Sequence, residues 1–326
     1  MSNLLEKASI ILTPTAYNTS EVLCVKPSDG SGDFDFSRAT EATRINSLGL
    51  VETIGINLPR INYEGGCGSW LFEPQSTNLY LNSETLSTQT ITTTANQYSV
   101  SFYGTGTITF SGTHTGSLTG TGLNDRVTAT FTATSGTLTS TISGIVTKAQ
   151  IEQLNYATSY IPTSGSTVTR NKDLCTNGGS LASINSPEGV LYIEAAALAA
   201  ITEERRIVLS DGTNTYRVII RITAPDTIKF FVGVVSNQAS HTATGVVTTN
   251  FNRMAISWKE NDIRFYLNGT NIFTDTSSNP FPADTLNILN FSSPDGSSNP
   301  FFGKTKCAAI WKEALTDAEL ISLTTL

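Results

Sequence analysis

The chain has 326 residues, of which 39% are apolar and 14% charged, with a net charge of −7 at pH 7. That length exceeds the usual span of one hydrophobic core and implies at least two domains, while an acidic, weakly charged surface with scattered Lys and Arg excludes a nucleic-acid partner. No stretch approaches the roughly 18 apolar residues of a membrane span, so no membrane insertion is expected. Met1 to Lys7 also lack the basic and apolar regions of a secretion signal, which implies synthesis and folding in a cytoplasm.

Residues 1–82 mix Asp, Arg and aromatic residues with Gly and Pro. Cys24 and Cys67, with Cys175 and Cys307 further on, form no CxxC pair, so free thiols are expected in place of a zinc site or disulfide framework. Asp29, Asp33 and Asp35 sit on a Gly-rich loop and could offer oxygen ligands to Ca²⁺, although EF-hand spacing is absent. The other reading is a turn entering a strand, with Phe34 and Phe36 toward a core and Asp33 and Asp35 toward solvent. No further cofactor is expected. Gly66-Cys67-Gly68-Ser69 reads as a tight turn before a strand containing Trp70.

Residues 83–172 begin with a tract so rich in Ser and Thr that a flexible stalk is one reading. Periodicity favours a small β-sandwich. Tyr98, Val100 and Phe102 alternate with polar residues, as do Ile108 and Phe110, then Val127, Ala129 and Phe131, and Thr is itself a strand former. Residues 173–186, rich in Ser, Asn and Gly, read as an exposed linker.

Residues 187–326 give the clearest strands. Tyr216, Val218, Ile220 and Ile222 share one face, Ile228, Phe230, Val232 and Val234 another, and Met254, Ile256 and Trp258 point inward. Ile263, Phe265 and Leu267 precede Asn268-Gly269, the dipeptide of a type I′ hairpin. Thr316 and Glu319 form a capping box, with Leu315 and Leu320 as a hydrophobic staple, so a short helix should start at Asp317. The fold class expected is all-β, made of antiparallel sandwiches of jelly-roll type with one terminal helix.

Sugar binding calls for exposed rings beside amides and carboxylates. Trp70, Tyr103, Tyr266 and Phe281 are the ring candidates, with Asn268, Asn271 and Asp295 as polar partners, while Trp258 and Trp311 are in phase with core residues. Catalysis finds little support. His114 and His241 stand alone among Thr and Gly, and neither accompanies a nucleophile elbow.

The segments "NDIRFYLNGTNIF" and "FFGKTKCAAIWKEALTDAELISL" resemble the concanavalin-like or laminin-G-like lectin and glucanase superfamily. In retaining glucanases of that superfamily an E-x-D-x-x-E strand carries the catalytic carboxylates; here Glu260 and Asp262 begin the pattern, but Phe265 replaces the second Glu, which implies no enzyme. The segments "DGSGDFDFSRATEATRINSLGLVE", "NLPRINYEGG" and "WLFEPQSTNLYLNSE" resemble the opening of bacteriophage head-spike and tail-fibre subunits. "AQIEQLNYATSYIPTSGSTVTR" is similar to the closing strand of carbohydrate-binding jelly rolls in the same proteins.

These resemblances imply a structural subunit on the virion surface. It would be a head fibre, spike or capsid decoration, partnered by capsid or tail proteins and by host surface glycans, and assembled as a homo-oligomer, trimer before dimer. The alternative is a tail fibre, receptor-binding protein or depolymerase. Residues 1–82 would then anchor, and 187–326 would fold alone as a distal lectin-like domain.

Overall fold

In the computed structural model, which describes residues 2–200, 202–223 and 225–326, nearly all regular structure is strand. Two short helices, Ser2–Lys7 and Asp317–Thr324, flank it. The alternation of Val218, Ile220 and Ile222 with polar residues turns one face of the strand Tyr216–Thr223 inward, as period-2 geometry requires. Its neighbours obey the same rule. The result is a five-stranded front sheet in the order Ser236–Thr244, Thr227–Val234, Tyr216–Thr223, Arg205–Ser210, Ile288–Asn290.

An eight-stranded back sheet faces it. Its path runs Thr270–Asp275, Asp262–Leu267, Asn252–Lys259, Gly189–Ala197, Gly303–Trp311, Ser69–Phe72, Ile61–Asn62, and Ile10–Leu12 also pairs along Gly303–Trp311. Phe230 of the front sheet stacks on Phe265 of the back sheet at 5.5 Å, so the position that would hold a second catalytic Glu is filled by a core ring. The Asn268-Gly269 turn has positive φ at both residues, 49° and 83°, as a type I′ hairpin needs. The outer face of the back sheet is also covered, with Leu4, Ala8, Leu315 and Leu320 packing on Val190, Tyr192, Tyr266 and Trp311. The capping box of Thr316 and Glu319 is present and starts the terminal helix at Asp317.

The expected division of the chain changes here. Residues 1–82 do not stand apart from 187–326, because Ile10, Leu12, Val22, Phe34, Phe36, Trp70 and Phe72 share one apolar cluster with Leu191, Ile220, Met254 and Ile310. Nor is 173–186 an exposed linker. Leu174–Thr176 pairs with Phe34–Ser37, and Asp173, Cys175, Ile184 and Ser186 are buried. These two strands continue through Glu21–Val22 to Tyr17–Asn18 as a four-stranded sheet, and reciprocal bonds between Gly178 and Leu289 join it edgewise to the front sheet. Only Gly serves at 178, since a Cβ would lie 2.2 Å from the Phe34 ring. Short polar strands such as Leu174–Thr176 resemble a linker in sequence because their burial comes from partners far away along the chain.

The Ser/Thr-rich tract is an ordered sandwich, not a stalk. Gln89–Thr93, Gly136–Ser143, Thr107–Gly112 and Gly116–Thr119 form one sheet, and Gly122–Ala133, Asn96–Gly104 and Val146–Glu152 the other. Tyr98, Val100, Phe102, Ile108, Phe110, Leu138 and Ile151 fill the space between them. This sandwich is inserted into the body. Its entry and exit strands, Ser76–Asn78 and Val168–Arg170, pair antiparallel.

Beneath that ribbon lies a buried charge cluster. Arg38 Nη1 is 3.0 Å from Asp173 Oδ1, and Arg60 Nη1 and Arg170 Nη1 are 2.7 and 2.9 Å from Glu73 Oε2. Arg60 also donates to Asp173 Oδ2, and Ser159 donates to Glu73 from both its hydroxyl and its amide. Buried charges persist only when paired and hydrogen-bonded; every charge of this network is paired where entry, exit and body converge, although Nε of Arg60 and of Arg170 has no hydrogen-bond partner among the described residues.

Candidate functional site

Apart from Tyr266 and Asn271, which lie opposite each other in one hairpin, the sequence-selected residues scatter when folded. Trp70, Tyr266 and Phe281 are buried, at 0%, 1% and 2% exposure, so none can stack on a sugar. Trp70 lies edge-on to Tyr17, Phe281 packs on Tyr216 and Trp258, and the Tyr266 hydroxyl bonds Asp317. Asn268 accepts from the Arg253 amide and donates to Asn252, which fixes the hairpin turn. Asn271 is exposed, donates across the hairpin to the Tyr266 hydroxyl at 3.3 Å, and otherwise turns back on its own strand through Thr274 and the Phe273 amide. Asp295 is exposed and caps its own loop by accepting from Ser293 and Ser297. Tyr103 alone lines a cleft, where the inserted sandwich meets the body.

The three aspartates do not converge on a cation site. Asp29 accepts from Ser31, Asp33 from the Cys24 amide and Asp35 from Asn177, and among the described residues no group of three or more His, Cys, Asp or Glu could hold a metal ion. The turn reading applies instead, with Phe34 and Phe36 buried. Asp262, the second residue of the glucanase-like pattern, pairs with Arg264 and Lys259.

The front sheet places a different set together. Since Ile207, Leu209, Val218, Ile220, Phe230 and Val232 point inward, their neighbours along each strand must point out. Arg206 lies directly opposite Arg221, which lies opposite Lys229; on the same side of the sheet Ile219, itself buried, is opposite Phe231, and Arg217 is opposite Gly233. The Arg217 and Arg221 guanidiniums sit 5.0 and 5.5 Å from the centroid of the Phe231 ring, within cation–π range.

Counter-charge is scarce on this face. Glu204 pairs with Arg206 at 2.9 Å and Arg221 at 3.3 Å, while Arg217 donates to the Asn214 carbonyl. The Nε atoms of Arg206, Arg217 and Arg221 are buried without a hydrogen-bond partner. Burial, followed by repulsion from Arg221 and Arg206, holds the Arg217 pKa below its ordinary value; burial also lowers that of Arg221, against the pull of Glu204. Like charges directly opposite across strands are unfavourable, and a guanidinium fork matches a planar oxyanion. The face therefore has the chemistry to take up an anion beside an aromatic ring.

At one end of this face Val235 links two strands with φ of 61° and 73% exposure, a rare conformation for a β-branched residue. At another edge the Asn299 carbonyl accepts from the Arg206 amide. In the sequence, Arg217 and Arg221 are simply the polar alternates of Val218 and Ile220 on one strand. The signal available was their period-2 recurrence with Phe231 and Lys229, but the register that aligns the strands is not written in any one of them.

Residues 196–321 match the family model described as the Concanavalin A-like lectin/glucanases superfamily, so this part of the body is similar to domains of that superfamily. Among solved structures, the chain is similar to the carbohydrate-binding module of the Ruminococcus gnavus intramolecular trans-sialidase bound to α2,3-sialyllactose, at 16% identity and a TM-score of 0.38, over 43% of this chain and 83% of that one. It is also similar to domain 4 of a Geobacillus stearothermophilus extracellular arabinanase in complex with arabinotriose, at 12% identity and a TM-score of 0.38, over 47% and 73% of the chains. A third is the heptameric pentraxin of Limulus polyphemus, at 11% identity and a TM-score of 0.37, over 45% and 72%. No curated protein matches the chain.

Proposed function

We propose that the chain is a non-catalytic glycan-binding subunit of a bacteriophage virion, and that the outer face of the front sheet is where the glycan docks. The observation that carries the binding role is the placement of Arg217 and Arg221 over the Phe231 ring, with Arg206 opposite Arg221 and Glu204 as the carboxylate paired with Arg206 and Arg221. A ring beside the Arg217 guanidinium, which has no carboxylate partner among the described residues, suits a saccharide that bears an acidic group, through stacking and charge-assisted hydrogen bonds. Glycan-array binding by the intact protein tests this reading. Signal on acidic glycans that falls in an Arg217→Ala/Arg221→Ala variant is expected, and an array blank for the wild type would sink it.

The virion role rests on the spike- and fibre-like sequence segments of the opening and middle regions. A head fibre, spike or capsid decoration is favoured, with a tail fibre, receptor-binding protein or depolymerase as the alternative. Since most of residues 1–72 support the body, the surface offered to a capsid or tail partner would be the hairpin Ala42–Ile45/Val51–Ile54, whose tip exposes Leu48 and Leu50. Virion-surface display after synthesis in the host cytoplasm, and a trimeric or dimeric assembly, complete the proposal. Cryo-microscopy of particles made without the protein should show lost surface density; unchanged density would reject the role. Sedimentation of the purified chain reads the assembly.

A further inference from the structure

We infer that the cleft between the inserted sandwich and the body is a second binding site, distinct from the front sheet, for a small polar ligand carrying one carboxylate or sulfate. Its cavity measures about 190 Å³. Three separate pieces of chain build it: Tyr103 and Arg126 from the inserted sandwich, Arg44 and Asn62 from the opening segment, and Lys304 from the back sheet. Ligand sites concentrate at such junctions because two rigid bodies leave a concave gap between them.

Charge pairing singles out one of the three cations. Arg44 is held by Glu52 at 2.8 Å and Lys304 by Glu64 at 2.6 Å. Glu73, at the cleft wall, is neutralised by Arg60 and Arg170. Among the described residues Arg126 meets only neutral oxygens, its Nη2 donating to Ser101 Oγ at 2.8 Å and to the Thr158 carbonyl at 2.6 Å. Its Nε is buried and has no hydrogen-bond partner. Those two bonds fix the guanidinium in place, which leaves it preorganised for an oxyanion.

Tyr103 completes the recognition set. It lies directly opposite Arg126 across the strands, and pairing shifts register between Tyr103 and Gly104. Such an irregularity re-aims a side chain at a sheet end. The ring is 8% exposed and its hydroxyl makes no hydrogen bond among the described residues. A ring edge and free hydroxyl beside a guanidinium suit the hydroxyls and acid group of a sugar acid, whether a free monosaccharide or the end of a chain; the shared chemistry is the single oxyanion on a polyol.

Calorimetric titration of the full chain with methyl glucuronide, methyl glucoside and inorganic sulfate tests the site. The glucuronide should bind at least tenfold more tightly than the glucoside, and sulfate should compete with it. Arg126→Gln should weaken glucuronide binding tenfold or more, with Arg126→Lys between the two. Because Arg126 also steadies the Thr158 segment, Tyr103→Phe provides a variant that keeps the ring; it should weaken binding several-fold at an unchanged melting temperature. Glucuronide affinity unaltered by both Arg126→Gln and Tyr103→Phe, equal binding of glucoside, or no competition by sulfate would each overturn the inference. The Arg217→Ala/Arg221→Ala variant reads the front face and the Arg126 and Tyr103 variants read the cleft, so the two sites stand or fall separately.

Discussion

Arg170, which ends the strand returning from the inserted sandwich, places its Nη1 2.9 Å from Oε2 of Glu73, the carboxylate at which the chain leaves the body for that sandwich. Both side chains are almost completely buried. The pair closes the insertion with charge, and its partners Arg60 and Asp173 tie the closure to the core of the body.

Acid should loosen this closure. Burial alone would raise the Glu73 pKa, but Arg170, Arg60 and the two Ser159 donors outweigh it and hold the value at about 2, against an ordinary 4.5. A folded-state pKa below the unfolded one means the stabilisation is complete above about 4.5 and is lost as pH falls through about 2. Urea midpoints measured between pH 7 and pH 2 should fall over that window, and less steeply in Glu73→Gln. At pH 7 the same variant should lose about 3–5 kcal/mol, the usual result of leaving buried charges without their partner. A variant as stable as wild type would show that the guanidiniums find other partners.

Fragments should separate the two cores. A piece spanning 185–326 lacks Trp70, Phe72, Phe34 and Ile10, which fill its core, and lacks the strands beside Gly303–Trp311; it should aggregate or melt without cooperativity. A piece spanning 79–167 keeps Tyr80, Phe102, Phe110, Leu138 and Ile151 and should give a cooperative thermal transition. The opposite pattern in calorimetry would mean that the shared cluster is dispensable.

The arginine face should trade stability for binding. Removing Arg217 relieves its repulsion with Arg206 and Arg221, so Arg217→Ala should melt at or above the wild-type temperature while glycan affinity falls roughly tenfold, in line with one charge-assisted hydrogen bond. Affinity should also drop as ionic strength rises, because exposed charges are screened over about 10 Å at 0.1 M salt. A variant that is both less stable and equally tight would assign Arg217 a structural part.

The terminal helix offers a local test. Thr316 accepts from the Glu319 amide while Glu319 accepts from the Thr316 amide, and the helix brings Leu320 onto the back sheet. Thr316→Ala should cost about 1 kcal/mol in urea denaturation, with no change in glycan binding. A loss within measurement error would mean that Leu315 and Leu320 hold the helix start without the cap.

Local signals in the sequence were sufficient for what depends on neighbouring residues. The period-2 runs around Val218 and Phe230, the Asn268-Gly269 turn and the Thr316–Glu319 box each express geometry set within a few positions, so the all-β class, the hairpin and the terminal helix were all legible. The Thr-rich strands of the inserted sandwich were legible too, since alternation survives a polar composition. What required the tertiary structure was everything decided by contacts between distant segments. Phe34 and Trp70 belong to the same core as Phe291 and Tyr17 only because the opening strands extend sheets made later in the chain. Trp70, Tyr266 and Phe281 share the composition of a sugar platform, yet burial is a property of the assembled layers and it removes all three. The arginine face exists because cross-strand register places Arg206, Arg221 and Phe231 on one surface, and register between strands is fixed by packing of whole faces rather than by any single strand.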